Sequence, residues 1–303
     1  MNCIVVGYGS IGKRHVNVLN KLNCRVAVVS RREIQYPLTY NSLSTALKNE
    51  KPDYVIVANE TARHYDTLKE LSDNFFNGTV MVEKPLFEKK QKIPYNNFKN
   101  AYVGYNLRFN PIIKKIYRII RDEKVLFAKV YTGQYLPYWR IDRDYTSTYS
   151  AKKNEGGGVL LDLSHELDYF TWLFGNWSKL TAIGGKYSNL KIDCEDIFCI
   201  TMSTEKSSIV QINLNYLDKI GRREITVITD KKTILADLVG QKIQINEKVI
   251  KYNTNRDYTY YMQHKAVLKG ETNYLCSFED GMNILDMVFC AKEALKRKEW
   301  IKR

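Results

Sequence analysis

The sequence lacks long apolar stretches and clusters of cysteine or histidine, and these absences exclude several classes of protein. No apolar run approaches the ~20 residues needed to cross a bilayer. The run from Cys3 to Val6 is too short for the core of a signal peptide. The six cysteines form no CxxC pair and the four histidines are scattered, so no metal site is expected. We therefore expect a cytoplasmic protein without membrane contact. Reduced thiols are favoured over disulfides.

Acidic residues are also scarce relative to basic ones. With 47 Lys and Arg against 33 Asp and Glu, the formal net charge is +14. The basic residues are spread along the chain, and the densest stretch runs from Lys292 to Arg303. A solvated basic surface is the first explanation, and an anionic substrate or cofactor is the second. Nucleic-acid binding would also use this charge, but no recognition motif supports it, so no nucleic-acid partner is expected.

The first hundred residues alternate short apolar strands with helical patterns. This alternation predicts an α/β fold with a doubly wound parallel sheet. The predicted strands are Cys3 to Val6, Arg25 to Val29, Tyr54 to Ala58, Thr79 to Val82 and Ala101 to Tyr105. The predicted helices between them are Ile11 to Leu22, Ser42 to Leu47 and Thr61 to Leu71.

The pattern changes after a periodic helix that begins at Pro111. Strand-like runs then follow one another with turns between them, which predicts an open, largely antiparallel sheet. A helix from Asp162 to Phe174 interrupts this series, and a long helix from Phe278 to Arg297 closes it. We expect a dinucleotide-binding domain over residues 1–106 and a substrate-binding and oligomerisation α/β domain over residues 107–303. The closing helix is a candidate to pack back on the first domain.

A glycine-rich turn follows the first strand directly. In this GxGxxG pattern Gly7 makes the tight turn, Gly9 lets a pyrophosphate approach, and Gly12 lets the helix pack closely on the strand. Ser10 and Ile11 open the helix, whose N-terminal amides suit an anion. The position after a first strand and inside a βαβ pattern favours dinucleotide binding over an ordinary loop.

The end of the second strand indicates which dinucleotide binds. The sequence there is Ser30-Arg31-Arg32, where NAD-binding proteins usually carry an acidic residue. A hydroxyl and two guanidinium groups suit a 2′-phosphate, so NADP(H) is favoured over NAD(H). Glu33 leaves NAD(H) open, because its carboxylate can swing back toward the ribose.

Two later motifs hold candidate catalytic residues. Lys84 follows the strand Thr79 to Val82, at the edge of the sheet where the nicotinamide is expected. Asp162, His165 and Asp168 are three residues apart and would share one face of a helix. Taken alone, each motif has a simpler interpretation: Lys84 would be a surface lysine in a charged turn, and His165 would be a buried core histidine.

These motifs occur together in the order typical of one family. The glycine turn, Glu83-Lys84-Pro85, the junction from Gly104 to Pro111 and Gly156 to Asp168 resemble the Gfo/Idh/MocA (glucose-fructose oxidoreductase/inositol dehydrogenase) oxidoreductases. The resemblance runs nearly end to end and includes sugar-modifying members of surface-polysaccharide pathways. It implies an N-terminal Rossmann domain and an open sheet that often forms the oligomer interface, here of a homodimer or homotetramer.

The resemblance also implies roles for individual residues. Lys84 matches the active-site lysine, His165 the catalytic histidine and Asp162 its acidic partner. The spacing from Asp162 to His165 is one residue shorter than usual. Near the nicotinamide the resemblance points to Asn59, His64, Glu83 and Lys84. Glu60 stands where a proline is common, which changes the loop toward His64.

The chemistry of these residues suits oxidation of a secondary alcohol. A histidine can take the alcohol proton as hydride leaves and return it in the reverse direction. A lysine ammonium stabilises the developing alkoxide. His165 is therefore the predicted general base and acid, Lys84 the electrostatic partner, and Asp162 the residue that orients them.

The stretch from Gln134 to Tyr149 is rich in tyrosine and is the predicted substrate site, and Asn106 and Arg108 at the domain junction are further candidates. Aromatic faces suit the C–H patches of a sugar ring, and polar groups suit its hydroxyls, so a sugar or nucleotide-sugar is expected; an interface loop or a small aromatic core explains the stretch equally well. The residues assigned to substrate are Asn106, Arg108, Tyr138, Trp139, Arg140, Tyr149 and His165. The main alternative function is a non-catalytic NAD(P)-binding sensor on the same scaffold.

Overall fold

The computed structural model describes residues 1–139, 141 and 143–303. The chain divides into two units. The first comprises Met1–Phe109 and Asn255–Met282, and the second comprises Asn110–Thr254 and Asn283–Arg303. Within the described residues, no helix is both long enough and apolar enough to cross a membrane.

The elements have the following bounds. The strands are β1 (Asn2–Val6), β2 (Arg25–Val29), β3 (Thr39–Tyr40), β4 (Tyr54–Val57), β5 (Thr79–Val82), β6 (Asn100–Val103), β7 (Val125–Gly133), β8 (Trp177–Gly185), β9 (Ile197–Thr204), β10 (Val210–Asn215), β11 (Arg222–Thr229), β12 (Thr233–Asp237), β13 (Lys242–Ile245), β14 (Lys248–Lys251), β15 (Cys276–Ser277) and β16 (Ile301–Lys302). The helices are α1 (Ser10–Lys21), α2 (Leu43–Glu50), α3 (His64–Asp73), α4 (Pro111–Ile120), α5 (Val159–Asp162), α6 (His165–Phe174), α7 (Tyr258–Lys269) and α8 (Phe278–Arg297).

The first unit is built on a parallel sheet with strand order β15-β6-β5-β4-β1-β2-β3. Its pairs are parallel except at the edge, where β15 runs antiparallel to β6. The central strand β4 is buried along its whole length, as expected for a sheet covered on both faces. The strand order reverses between β1 and β4, so the sheet has a topological switch point there. The predicted doubly wound parallel sheet is confirmed.

The second unit contains a nine-stranded sheet with order β14-β13-β12-β11-β7-β10-β9-β8-β16. Its pairs are antiparallel except for β10 with β7, which confirms the predicted, largely antiparallel sheet. Burial alternates residue by residue along β9, so the sheet has one covered face and one open face. The helix α4 is capped at its N-terminus by Asn110, whose side chain accepts hydrogen bonds from the amides of Ile112 and Ile113.

Several parts of the chain differ from the sequence prediction. The helix expected from Asp162 to Phe174 is broken, because Leu163 adopts φ −98° and ψ 28° and ends α5 before α6 begins at His165. The helix α7 was not predicted, because aromatic and polar residues alternate in it without a clear apolar stripe. The short strands β13 and β14 were missed for the same reason: both are rich in lysine and polar residues.

Candidate active site

The glycine turn has the geometry that each glycine was predicted to provide. Gly7 has φ +97°, and a Cβ atom there would lie 2.6 Å from the carbonyl oxygen of Ala58. A Cβ atom on Gly12 would lie 2.0 Å from the carbonyl oxygen of Gly7, so only glycine lets α1 start this close to β1. At Gly9 a Cβ atom would meet nothing within 4 Å. The structure therefore leaves open space at the one glycine where a diphosphate is expected to approach.

Three polar or flexible positions follow neighbouring parallel strands at the same edge of the sheet. Gly7 follows β1, Asn59 comes two residues after β4, and Lys84 comes two residues after β5. The turn after β1 touches the turn after β4, since the Cβ position of Gly7 also lies 2.7 Å from the amide nitrogen of Asn59. These turns lie at the C-terminal ends of the strands, beside the point between β1 and β4 where the strand order reverses. Ligands of open α/β sheets bind at such a point.

The loop after β4 is held by Asn59 and His64. The amide of Asn59 donates to the hydroxyl of Thr67 at 2.8 Å. Its Oδ1 atom is buried and has no hydrogen-bond partner in the described part of the chain. His64 is buried, with Nδ1 3.1 Å from the carbonyl oxygen of Leu86 and Nε2 3.3 Å from that of Asn59. Burial lowers the pKa of His64, so this imidazole is neutral and connects the loops after β4 and β5.

Glu83 and Lys84 form the start of the loop after β5. The peptide bond between Lys84 and Pro85 is cis. Glu83 is 8% exposed, and its Oε2 atom accepts a hydrogen bond from the backbone amide of Lys84 at 3.3 Å. Its Oε1 atom lies 2.9 Å from Nε2 of His15. The carboxylate of Glu83 is thus anchored on both oxygens, whereas the lysine side chain is half-buried.

The predicted 2′-phosphate site follows β2. The Ser30 hydroxyl donates to the carbonyl oxygen of Arg32 at 3.0 Å and accepts from its amide at 3.2 Å. These two bonds close a small turn in which Arg31 and Arg32 are exposed. Glu33, next in the chain, is exposed too. The turn presents two guanidinium groups at the point where the adenosine ribose of a dinucleotide is expected.

In the second unit, the carboxylate of Asp162 accepts two hydrogen bonds from tyrosine hydroxyls. Tyr149 donates to Oδ1 at 2.7 Å and Tyr216 donates to Oδ2 at 2.9 Å. Asp162 is 5% exposed and Tyr216 is fully buried. Burial, with the nearby Asp162 charge, raises the pKa of Tyr216 well above its usual value, so this phenol keeps its proton and remains a donor. His165 begins α6 three residues later and is half-buried.

Aromatic side chains from the predicted substrate stretch lie close to Asp162. The ring of Trp139 meets that of Tyr216 edge to face, with centroids 5.3 Å apart. Tyr149 is 37% exposed and Tyr138 is 57% exposed. Trp139, Tyr149 and Asp162 therefore belong to one cluster of the second unit. Arg140, also predicted to bind substrate, lies outside the described residues.

The two junction residues predicted to bind substrate are buried and bonded within the first unit. Asn106 donates to the hydroxyl of Thr259 at 2.8 Å. Arg108 donates to the carbonyl oxygen of Leu275 at 3.2 Å and pairs with Asp280 at 3.0 Å. Both side chains thus connect residues 106–109 with the segment Asn255–Met282.

Sequence reasoning missed several residues of these clusters. Tyr216 lies at the end of a predicted strand, and nothing local marks it as a partner of Asp162. His15 was hidden on the buried face of α1, and its partner His264 lies 249 residues away. The only local signal was a histidine three residues after the last glycine of the turn, on the side of α1 that faces the core.

The residues present fit a dinucleotide. Gly9 provides open space at the start of a helix, Asn59 provides an unpartnered buried oxygen, and both features lie at the switch point of the sheet. The amides at the start of α1 would hold the diphosphate, since this helix end carries free donors and a positive dipole. The residues Ser30, Arg31 and Arg32 would hold the adenosine ribose.

Comparison with family models gives two matches along the chain. Residues 1–93 match a model described as an oxidoreductase family with an NAD-binding Rossmann fold. Residues 116–235 match the GFO/IDH/MocA C-terminal domain. A search of curated protein sequences finds no match.

Solved structures share the fold along the whole chain. One is GenD2 from gentamicin A biosynthesis in complex with NAD, with 20% identity, a TM-score of 0.82, and coverage of 100% of this chain and 96% of that one. Another is the WlbA dehydrogenase from Chromobacterium violaceum in complex with NADH and UDP-GlcNAcA, with 17% identity, a TM-score of 0.83, and coverage of 100% and 96%. A third is levoglucosan dehydrogenase in complex with NADH, with 13% identity, a TM-score of 0.84, and coverage of 100% and 98%.

Proposed function

The chain belongs to the Gfo/Idh/MocA family of NAD-binding oxidoreductases, and from this we propose that it interconverts a hydroxyl and a keto group on a sugar or nucleotide-sugar. The observation that carries the proposal is the alignment of Gly7, Asn59 and Lys84 behind neighbouring strands at one edge of a parallel sheet. That edge offers room for a dinucleotide and a lysine beside its expected reactive end. A role in cell-surface glycan or amino-sugar synthesis fits the resemblance to surface-polysaccharide enzymes.

In this proposal Lys84 and His165 act on the same substrate oxygen. The bound nicotinamide supplies the hydride acceptor or donor. His165 removes the alcohol proton in the oxidising direction and returns it to the carbonyl oxygen in the reverse direction. The ammonium of Lys84 stabilises negative charge on that oxygen as it develops. Asp162, held by its two tyrosines, positions the start of α6 and thereby His165.

The aromatic cluster supports a sugar-like substrate. Trp139 and Tyr149 belong to the same cluster as Asp162, and their rings suit the C–H faces of a pyranose. Two of the solved relatives are named as dehydrogenases, and one of them holds UDP-GlcNAcA. The net charge of +14 favours an anionic substrate, such as a nucleotide-sugar.

For the cofactor we favour NADP(H) over NAD(H). The exposed pair Arg31 and Arg32 suits a 2′-phosphate, and guanidinium groups bind phosphate through paired hydrogen bonds. The three solved relatives named above carry NAD or NADH, so the preference depends on this turn alone. Replacing both arginines by alanine should weaken NADPH binding much more than NADH binding, as followed by quenching of tryptophan fluorescence. Equal loss for both cofactors would remove the preference.

We also place the protein in the cytoplasm as a homodimer or homotetramer. All six cysteines are free thiols, as is usual in reducing compartments. The open sheet of the second unit carries exposed apolar side chains, including Ile183 and Leu235, that a second copy would cover. Sedimentation analysis should give a mass of two or four chains. A monomer at micromolar concentration would contradict this part of the proposal.

The direct test is turnover. The protein is mixed with NADPH or NADP and a panel of sugars, nucleotide-sugars and keto-sugars, and the absorbance of the reduced nicotinamide is followed. With an active substrate, His165→Asn should lower kcat by about 10²–10⁴-fold and Lys84→Met by about 10²–10³-fold. Lys89→Met, at an exposed lysine on the same loop, is the matched control and should keep its activity.

Two outcomes of this test would contradict the proposal. Unchanged turnover in both variants would remove the assigned mechanism. Cofactor binding without turnover on any member of the panel would favour the alternative, a non-catalytic NAD(P)-binding sensor on the same scaffold.

A further inference from the structure

A line of buried polar side chains crosses the first unit and is not used by the proposed reaction. Oε1 of Glu83 lies 2.9 Å from Nε2 of His15. Nδ1 of His15 lies 2.8 Å from Nε2 of His264, and Nδ1 of His264 lies 3.1 Å from the hydroxyl of Tyr54. The hydroxyl of Tyr54 is also 3.3 Å from Sδ of Met81. The two imidazoles and the phenol are completely buried.

The acidic end of this line is held in a fixed place. Glu83 accepts from the amide of Lys84 through its other carboxylate oxygen. A Cβ atom on Gly104 would lie only 2.8 Å from Oε1 of Glu83, so the glycine leaves room for the carboxylate and little else. The ring of Tyr260 lies edge-on to His15, with centroids 5.5 Å apart. These contacts hold Glu83 and His15 in place.

The same heavy-atom positions allow two complete hydrogen-bond patterns. In the first, His15 is neutral: Tyr54 donates to Nδ1 of His264, Nε2–H of His264 donates to Nδ1 of His15, and Nε2–H of His15 donates to Glu83. In the second, His15 carries one more proton and donates from both nitrogens. His264 then accepts at Nε2 and donates from Nδ1 to the oxygen of Tyr54, whose O–H turns to Met81. Every polar hydrogen has an acceptor in both patterns.

We propose that Glu83, His15, His264 and Tyr54 form a proton relay that takes up one proton from solvent, reverses the direction of its hydrogen bonds and so neutralises the charge beside Lys84. No covalent bond between heavy atoms changes. The added proton resides on His15, and the Nε2 proton of His264 is exchanged for one on Nδ1. The consequence for Lys84 rests on the proposed function, whereas the relay itself is a property of the folded first unit.

The surroundings of the relay support this assignment of charge. Burial, and then the charge of His15, lower the pKa of His264 well below its usual value, so this ring stays neutral. Burial raises the pKa of Tyr54, which keeps the phenol protonated in both patterns. Other titratable groups face the relay from the elements packed against it. They are Arg14, Asp257, Tyr260, Lys84, His64, Cys3, Cys24 and Tyr102.

The test uses nuclear magnetic resonance of the intact protein labelled with ¹⁵N at its four histidines. As the pH falls, His15 should gain a proton, and at the same midpoint His264 should pass from the Nε2–H to the Nδ1–H tautomer while remaining neutral. His64 serves as the internal reference, because its nitrogens face backbone carbonyls. A single tautomer of His264 across the whole pH range in which the protein stays folded would overturn the proposal.

Two variants sharpen the result. Glu83→Gln keeps an oxygen acceptor for His15 but removes the negative charge, so the shared midpoint should move to lower pH. Met81→Leu conserves volume but removes the acceptor that Tyr54 needs only in the protonated pattern, so it should move the midpoint in the same direction. An unchanged midpoint in a folded Glu83→Gln or Met81→Leu protein would contradict the relay.

With an active substrate, Met81→Leu should shift the pH profile of kcat by the same amount. Absence of turnover would count against the proposed reaction. The tautomer of His264 would still decide whether the relay exists.

Discussion

The structure shows how the buried carboxylate of Asp162 is held. The sequence pattern suggested that it shares a helix face with His165, but α5 ends at Asp162 and α6 begins at His165. Its carboxylate accepts from Tyr149 and Tyr216. A buried carboxyl group with two phenol donors is well satisfied by hydrogen bonds. We propose that Asp162 fixes the turn that precedes His165.

The two tyrosine partners should differ in what they contribute. Tyr216→Phe removes a buried hydrogen bond to Asp162, which costs about 1–3 kcal/mol and should lower Tm. Tyr149 lies at the exposed edge of the same cluster, so Tyr149→Phe should keep Tm near that of the parent protein but lower turnover. Thermal melts and kcat measured on both variants test this. Equal effects of the two substitutions on Tm would contradict the distinction.

The neutral buried His64 predicts a pH dependence of stability. Its folded pKa is lowered, so at pH values below about 6.5 the unfolded chain binds a proton that the folded chain does not. Stability from this group is fully present above that pH and decreases as the pH falls below it. The decrease in Tm between pH 7 and pH 5 should be smaller in His64→Gln than in the parent protein. An identical decrease would show that His64 does not contribute.

The sequence predicted individual site residues where neighbouring residues in the chain mark them. It selected Trp139, Tyr149 and Asp162, which the structure brings into one cluster. It did not select Tyr216 or the pair of His15 and His264, because their partners lie 54 and 249 residues away and only the folded chain brings them together.

The turn between β1 and α1 contains two glycines with different expected roles. Gly12 is needed for the fold, and Gly9 is expected to face the ligand. Gly12→Ala would place a methyl group against the carbonyl oxygen of Gly7 and should lower stability by about 1–3 kcal/mol. Gly9→Ala meets no protein atom within 4 Å, so it should change Tm little.

The affinity for the dinucleotide should also distinguish Gly9→Ala from Gly12→Ala. The methyl group of Gly9→Ala would occupy the space where a diphosphate approaches, so its Kd for NADPH should rise strongly while the fold is kept. Calorimetric binding with both variants and their melting curves measure the difference. If Gly9→Ala binds the cofactor as well as the parent protein does, the open space is not the diphosphate site.

Helices and strands with a regular pattern of apolar residues, or with capping residues at their ends, were predictable from the sequence. Those without such a pattern were not. The helix α4 has an Asn cap, a proline at its first position and buried isoleucines at helical spacing. The helix α7 has no such stripe, because His264 and Gln263 are buried beside partly exposed tyrosines. The buried residues of α7 contact distant partners such as His15. A local pattern of apolar residues does not reveal such partners.

For the whole molecule, the main feature is that the first unit is not continuous in sequence. Residues Asn255–Met282 belong with Met1–Phe109 and supply β15 and α7. A fragment of residues 1–109 should therefore lose the partners of His15, Asn106 and Arg108 and expose buried surface. Its melting curve should be broad, with a lower Tm than that of residues 1–109 joined to 255–282 by a flexible Gly/Ser linker. Equal, cooperative melting of both proteins would show that the segment is dispensable.

The central claim is that Lys84 and His165 act together at a bound nicotinamide. The most direct measurement is a crystal structure with NADPH and a substrate or inert analogue. We predict that Nζ of Lys84 and a ring nitrogen of His165 both lie within hydrogen-bond reach, about 2.6–3.2 Å, of the one substrate oxygen on the carbon that faces C4 of the nicotinamide. A complex in which either side chain points away from that oxygen, with the carbon still facing C4, would contradict it.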